Sequence, residues 1–363
     1  MTYSYVIEQR VIWSFLMTAS NLDKLLASSK VKVTENQTIM GREDPNMSNQ
    51  ELIELNELNV NSNGGTELTT RKLYDVLSRA DLDGIQIITS RVRELDPDRL
   101  KILHLHDLPL DPESEHLKDP ALRARFNKLV FSSNWQYQQF RDYLGVPYSN
   151  HSAVIETGIE PLVMTHKPMD KVRLIYTSTP HRGLEILVPV FVELAKKYPN
   201  IELDVFSSFG IYGWEDRDKP FEPLFDICRS HPQINYHGWQ PNDIVRAAYE
   251  GAHIFSYPNI WPETSCRSLI EAMSAGCLCV HPNFAALPET SGGLTIMYGG
   301  DQDMNVHANI FAHTLDYAIN NIINNELTGL LSYVKSYVDT KHSWETVGVK
   351  WKGLINSVKM DSI

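Results

Sequence analysis

Short apolar runs separated by amphipathic stretches recur along most of this chain, and most regularly in its second half. Residues 172–178, 201–207, 234–238, 253–258 and 278–281 read as strands. Between them, residues 183–198, 221–230, 241–251 and 265–275 read as helices. Strands that alternate with helices imply right-handed crossovers and a parallel sheet. An earlier series has the same character. Asn61-Ser-Asn-Gly-Gly65 opens a helical pattern in which Leu73, Val76, Leu77 and Ala80 share a face. Strands follow at 85–89, 102–105, 129–132 and 154–157, with helices at about 120–127 and 134–144. Residues 158–169, with Pro161 and Pro168, read as a linker. The tail from Asp303 is mostly helical, and Trp344 and Trp351, seven residues apart, fall on one face.

Two such series predict an α/β protein with two Rossmann-like domains facing a central cleft. The expected domains are residues 1–160 and 170–340, followed by a C-terminal helix over 341–363. The 363-residue length fits two domains of ~100–200 residues each. Residues 20–60 are the least regular part, broken by Gly41 and Pro45, and read as an insertion in the first domain. Ligands of open α/β sheets bind beyond the carboxyl ends of the strands, so the site is expected in the loops after strands.

Composition narrows the classes. With 42% hydrophobic and 21% charged residues, wholesale disorder is excluded. The net charge of −12 divides evenly between residues 1–160 and the rest, leaving no basic half to hold a nucleic acid. No apolar run reaches ~18 residues, so no transmembrane helix is expected. Val11 to Ala19 loosely imitates a signal peptide, but the stretch is short and Glu8 spoils the positive flank; a first buried strand fits it as well. Four cysteines (Cys228, Cys266, Cys277, Cys279) are too few and too clustered for a disulfide framework, which points to a reducing, cytoplasmic setting.

The most informative stretch runs from Trp261 through Pro262, Glu263, Thr264, Ser265, Cys266 and Arg267 to Glu271 and Gly276. Glu263 precedes a predicted helix and Glu271 lies inside it. Eight residues of helix rise ~12 Å, a suitable span for the two ends of a nucleotide sugar. The free N–H groups of the first turn lie between them and favour a diphosphate. A carboxylate accepts two hydroxyls in a fork, which suits a ribose or pyranose diol.

This stretch resembles the Glu-x7-Glu motif of retaining GT-B glycosyltransferases, especially glycosyltransferase family 4. The resemblance spans most of residues 61–358 and is strongest from Ile155 to His281. It implies that Glu271 binds the donor ribose and that Glu263 contacts the transferred sugar. It also implies a C-terminal helix crossing back onto the first domain. Residues 155–160 (IETGIE) look like the family's signature before the interdomain crossover, with Thr157 where Asn is usual. Residues 177–184 look like its donor loop, with Ser178 and Thr179 as hydroxyl donors and Arg182 gripping the diphosphate and stabilising the leaving group. Thr177 stands where many relatives carry a second Arg, so either the hydroxyls or Arg267 would replace that charge.

Asn63-Gly64-Gly65-Thr66-Glu67 resembles the Gly-Gly loop that opens the first helix at the cleft. Glu67 reads equally as an acid at a helix start. His106 and Asp107 end a strand, with His104 on the same strand face as His106, and the resemblance implies that His106 lies by the transferred sugar and the acceptor. Gly238, Trp239 and Gln240 follow another strand where the resemblance implies a contact to the nucleobase; Trp239 fits stacking on a base or structural packing equally. The Asp-x-Asp triplets at Asp81, Asp96, Asp216 and Asp301 follow no apolar strand and read as loop or cap acids. Donor binding is therefore expected to need no metal and no other cofactor. Cys277 and Cys279 read as core, and the run 123–128 as a solvated helix face or one that meets an anionic acceptor.

The resemblance implies transfer of one sugar from a UDP- or GDP-type donor to a hydroxyl, with retention. The acceptor stays open among a glycan, lipid, protein, small metabolite or hydroxylated nucleic-acid base; nucleic acid enters only in that last role. A nucleotide-sugar 2-epimerase and a non-catalytic sugar-nucleotide binder are the alternatives. Oligomeric state is not legible.

Overall fold

In the computed structural model, residues 64–324 and 327–362 are described. The segment 11–19 and the expected insertion at 20–60 lie outside them. Helix α1 (Gly65–Val76) leads into a sheet of four parallel strands: β1 (Ile85–Thr89), β2 (Leu100–Leu105), β3 (Lys128–Phe131) and β4 (Ser152–Val154). Helix α1 ends before Ala80, which is exposed rather than on its buried face. Ser78 interrupts it by starting a separate turn, where its backbone N–H donates to Asp81 Oδ2 at 2.8 Å in a capping box. The strand expected at 154–157 sits earlier, at β4, because pairing with β3 stops as the chain leaves for the second half.

Helix α2 (Asn134–Leu144) covers β3. The helix expected over 120–127 is only Pro120–Arg123. Arg123 is not a solvated arginine: its Nη1 donates to the carbonyls of Leu117 at 2.6 Å and Leu144 at 3.4 Å.

The second sheet holds β5 (Val172–Thr177), β6 (Ile201–Phe206), β7 (Ile234–Tyr236), β8 (Ile254–Ser256), β9 (Leu278–Pro282) and β10 (Ile296–Tyr298). All pairs are parallel, in the order β10-β9-β8-β5-β6-β7. Helices α3 (Leu184–Lys197), α4 (Asn242–Gly251) and α5 (Arg267–Ser274) connect its strands. Helix α6 (Leu287–Ser291) and β10 were not foreseen. Each has only a few residues, too short for a periodicity to register. Cys277 and Cys279 are buried in this half's core.

Three helices end the chain: α7 (Met304–Ile323), α8 (Thr328–His342) and α9 (Trp344–Met360). Helix α9 lies on the first sheet. Trp344, Val347, Trp351 and Ile355 share one core with Leu73, Ile85, Ile102 and Val130. Burying each tryptophan contributes about 4–6 kcal/mol of gross hydrophobic stabilisation. The two passages between halves are tied together. Ile159 N–H donates to His342 O at 2.8 Å, and Trp344 N–H donates to Ile159 O at 3.1 Å.

Candidate active site

Strand order in the second sheet reverses between β5 and β8, and crevices at such switch points are where open α/β sheets take ligands. The loops after β5 and β8 meet there. They wall a cavity of about 190 Å³ together with Gly65, Thr66, Thr69, His106 and Ser132 from the first half. Ser178, Thr179, Arg182, Glu263, Thr264, Ser265, Cys266 and Arg267 all line it.

After β5 the chain makes a tight turn at Pro180–Arg182 and enters α3 through Gly183. Gly183 has φ +118°, and a Cβ there would lie 2.1 Å from Pro258 O. Only glycine lets the two loops touch. That contact brings Arg182 to Glu263, Nη1 to Oε1 at 2.6 Å. Tyr257 OH donates to the same Oε1 at 2.6 Å. Arg182 Nε is buried without a hydrogen-bond partner, and its guanidinium lies 5.9 Å from the Trp261 ring centroid. Burial works against the Arg182 charge, but Glu263 and the nearby Tyr212 and Tyr257 outweigh it and hold the group above its ordinary value.

Helix α5 points its amino end at this pair. Cys266, its cap, has φ +79°, a strained conformation for a residue with a Cβ. Ser268 Oγ donates to Thr177 O at 2.8 Å and ties the helix start to the end of β5. Burial, with Glu263 nearby, pushes the Cys266 thiol well up, so it is no thiolate. Thr177, where relatives carry a second Arg, hydrogen-bonds Tyr249 OH instead.

Glu271 is buried in α5 outside the cavity wall. Its Oε1 takes Arg246 Nη1 and Arg267 Nε, each at 3.1 Å. Two guanidiniums share this one carboxylate, which leaves a net positive charge beside the cavity that Arg267 lines, and Arg267 Nη1 also donates to Gly158 O at 3.3 Å. Gly238, Trp239 and Gln240 are not brought to the cavity. Trp239 is exposed and Gln240 Nε2 donates to His237 O at 3.0 Å, because the chain turns sharply after β7 at Gly238.

From the first half, His106 enters the cavity at the end of β2. His106 Nε2 lies 3.2 Å from His104 Nδ1, so the two rings share a face as expected. Burial brings His106 down to about 4 and holds it neutral. Thr264 Oγ1 donates to His106 O at 3.1 Å across the cleft. Asp107 lies beside the cavity, and burial together with Asp111 raises its carboxyl. Gly64 and Glu67 are not in the wall; they back onto Tyr212, which is. A Cβ on Gly64 would lie 2.5 Å from both Glu67 Oε2 and Tyr212 Cε1.

Sequence reasoning missed Tyr212, Tyr257 and Arg246. Tyr257 ends an apolar strand and reads as core, while Tyr212 lies in a polar loop with no periodicity. For the two tyrosines the one signal was placement after strands of the second sheet; Arg246 lies inside α4 and gave none. The Asp-x-Asp acids serve locally: Asp81 caps, Asp218 accepts from Phe209 N at 2.8 Å, and Asp303 caps α7. Among the described residues, no cluster of three His, Cys, Asp or Glu side chains is placed to hold a metal ion. Nor is any described helix long and apolar enough to cross a membrane.

Residues 172–310 match the family model described as glycosyl transferases group 1. A search of curated protein sequences finds no match. Among solved structures, a glycosyltransferase from Rickettsia africae aligns with 13% identity and a TM-score of 0.60, over 93% of this chain and 88% of that one. The pneumococcal O-GlcNAc transferase GtfA, solved with UDP and GlcNAc, aligns with 12% identity and a TM-score of 0.59. That alignment covers 80% of this chain and 60% of GtfA. HepE from Anabaena, solved with UDP-glucose, aligns with 16% identity and a TM-score of 0.53, over 73% of each chain. At these identities the likeness concerns the fold, which is GT-B.

Proposed function

This chain is a glycosyltransferase of GT-B architecture, and we propose that it transfers one sugar from a nucleoside-diphosphate donor to a hydroxyl with retention and without a metal ion. The observation that carries the proposal is the Arg182–Glu263 pair set against the amino end of α5 in one cavity. A diphosphate seated there would meet the orphaned Nε–H of Arg182 and the free N–H groups of the helix. As the bond to the leaving phosphate breaks, negative charge develops beside the guanidinium, which stabilises it more in the transition state than in the ground state. Glu263 orients the sugar. Neutral His106 faces the acceptor, whose hydroxyl attacks from the side the diphosphate leaves and passes its proton to that phosphate. Glu271, behind the cavity wall with Oε1 held by Arg246 and Arg267, would take the ribose through Oε2.

Support for a UDP-type donor comes from the UDP-containing complexes of GtfA and HepE. The first-half wall is formed by glycine, threonine, serine and histidine, which suits a neutral, hydroxyl-rich acceptor such as a glycan. The metal-free reading is supported by the local roles of the Asp-x-Asp acids. A cytoplasmic location is supported by the four free cysteines.

The test is a thermal-shift screen with UDP, GDP and ADP sugars, followed by an assay for nucleotide release with and without chelator. One donor should stabilise the chain and be consumed. Arg182→Ala and Glu271→Ala should weaken donor binding, and Glu263→Ala should reduce turnover. No response to any donor, or wild-type kinetics in all three variants, would sink the reading.

A further inference from the structure

Both contacts on the Glu263 carboxylate fall on Oε1. Arg182 Nη1 and Tyr257 OH each lie 2.6 Å from it. The two donors differ in what happens when a donor sugar binds. In the transferase reading Arg182 is also the cation a diphosphate would draw on, which would weaken its grip on Glu263. Tyr257 has no such second duty. It is 1% exposed, its ring is packed against Tyr176 and Phe255 at centroid distances of 5.9 and 5.3 Å, and its backbone adjoins Pro258, whose carbonyl is pressed onto Gly183. The phenol also lies 3.4 Å from Ser178 Oγ in the donor loop.

We propose that Tyr257 is a positioning residue for transfer, its hydroxyl fixing Glu263 through Oε1 and leaving Oε2 for the transferred sugar. This rests on the transferase reading above. A tyrosine is otherwise hard to account for here: a leucine or phenylalanine would pack as well, and the buried hydroxyl is tolerated because it has a charged partner. Burial, with Glu263 beside it, raises the phenol well above its ordinary value, so it remains a donor across the working range of an enzyme.

Tyr257→Phe removes one hydroxyl and keeps the ring. The probes are UDP-glucose, UDP-GlcNAc, GDP-mannose and ADP-glucose, and the one the wild type consumes fastest is used. A lost hydrogen bond to a charged group predicts a fall in kcat of roughly tenfold to a hundredfold. The donor KM and the Kd of the free nucleoside diphosphate should stay at wild-type values, which a loosened donor loop would not allow. On a Glu263→Gln background the same substitution should cost little more, since both act through one carboxylate. Full wild-type kcat in Tyr257→Phe, or the same fold-loss on the Glu263→Gln background, overturns the assignment alone. A wild-type chain that consumes none of the four donors overturns the transferase reading and the assignment with it.

Discussion

Glu289 of the second half is seated on the first turn of α2, in the first half, at Asn134. Its Oε1 accepts from Asn134 N and Nδ2 at 2.8 Å each, and its Oε2 from Trp135 N at 2.9 Å. The free N–H groups and dipole of a helix start favour a carboxylate there. The pair holds the two halves together at the rim of the cleft. Glu289→Ala should weaken that closure by about 1 kcal/mol, roughly a fivefold shift toward an open arrangement. Small-angle scattering should then give a larger radius of gyration, with Asn134→Ala showing a smaller change. Superimposable profiles for Glu289→Ala and wild type would remove Glu289 from this role.

Gly183 joins the arginine of the donor loop to α3. Its φ of +118° and the 2.1 Å approach of Pro258 O leave no room for a methyl group. Gly183→Ala should therefore force the two loops apart and cost on the order of 3 kcal/mol or more, with a melting temperature roughly 6–12 °C lower. Donor binding should fall in parallel, because Arg182 is the preceding residue. A melting temperature equal to wild type would show that the loops yield cheaply.

These contacts mark how far the sequence was legible. Strands of the second sheet were readable because apolar runs such as residues 201–206 are bounded by clear helices, and their alternation implies the parallel sheet. Arg182 and Glu263 were readable as chemistry, and they do share one cavity. What remained hidden were partnerships made across distant loops. Nothing near Glu271 announces that Arg246 faces it, 25 residues away, and shares its carboxylate with Arg267. Tyr257 looked like core because its ring is core and only its hydroxyl does something else. Trp239 read as a base-stacking candidate from its place after a strand; it is exposed past the turn at Gly238, and its Cβ lies near Gly210, which precedes the cavity-lining Ile211 and Tyr212.

Tyr212 crosses the cleft to the Gly64–Gly65 turn. A methyl on Gly64 would meet its ring at 2.5 Å, and that ring is a movable side chain rather than backbone. Gly64→Ala should therefore fold normally but push Tyr212 out of the cavity wall. The expected result is an unchanged melting temperature and a kcat/KM lower by about tenfold, a cost of roughly 1.4 kcal/mol. Tyr212→Ala alone should lose activity by a similar factor. Adding Gly64→Ala to Tyr212→Ala should then cost much less than Gly64→Ala alone, because only the contact with the end of the Glu67 side chain remains. Equal and additive losses would mean that Gly64 acts on the donor directly.

Buried histidines set the acid limit of the fold, and three of them lie away from the cavity. Burial lowers His253, His281 and His342 from an ordinary value of 6.5 to about 4. Their folded values lie below the unfolded one, so the unfolded chain binds more protons between pH 4 and 6.5. Stability is then complete above about 6.5 and is lost as pH falls toward 4. Each should cost on the order of 1 kcal/mol between pH 7.5 and 5.5. His342 makes the loss local as well, since its Nδ1 lies 2.9 Å from Thr157 O and its own carbonyl accepts from Ile159 at 2.8 Å. Protonating its buried Nε2, which has no partner, would strain the junction between the halves. Urea denaturation should show a clearly lower midpoint at pH 5.5 than at 7.5, and His342→Gln should narrow that difference. Identical midpoints at the two pH values would mean that these rings take up protons in the fold as readily as in the open chain.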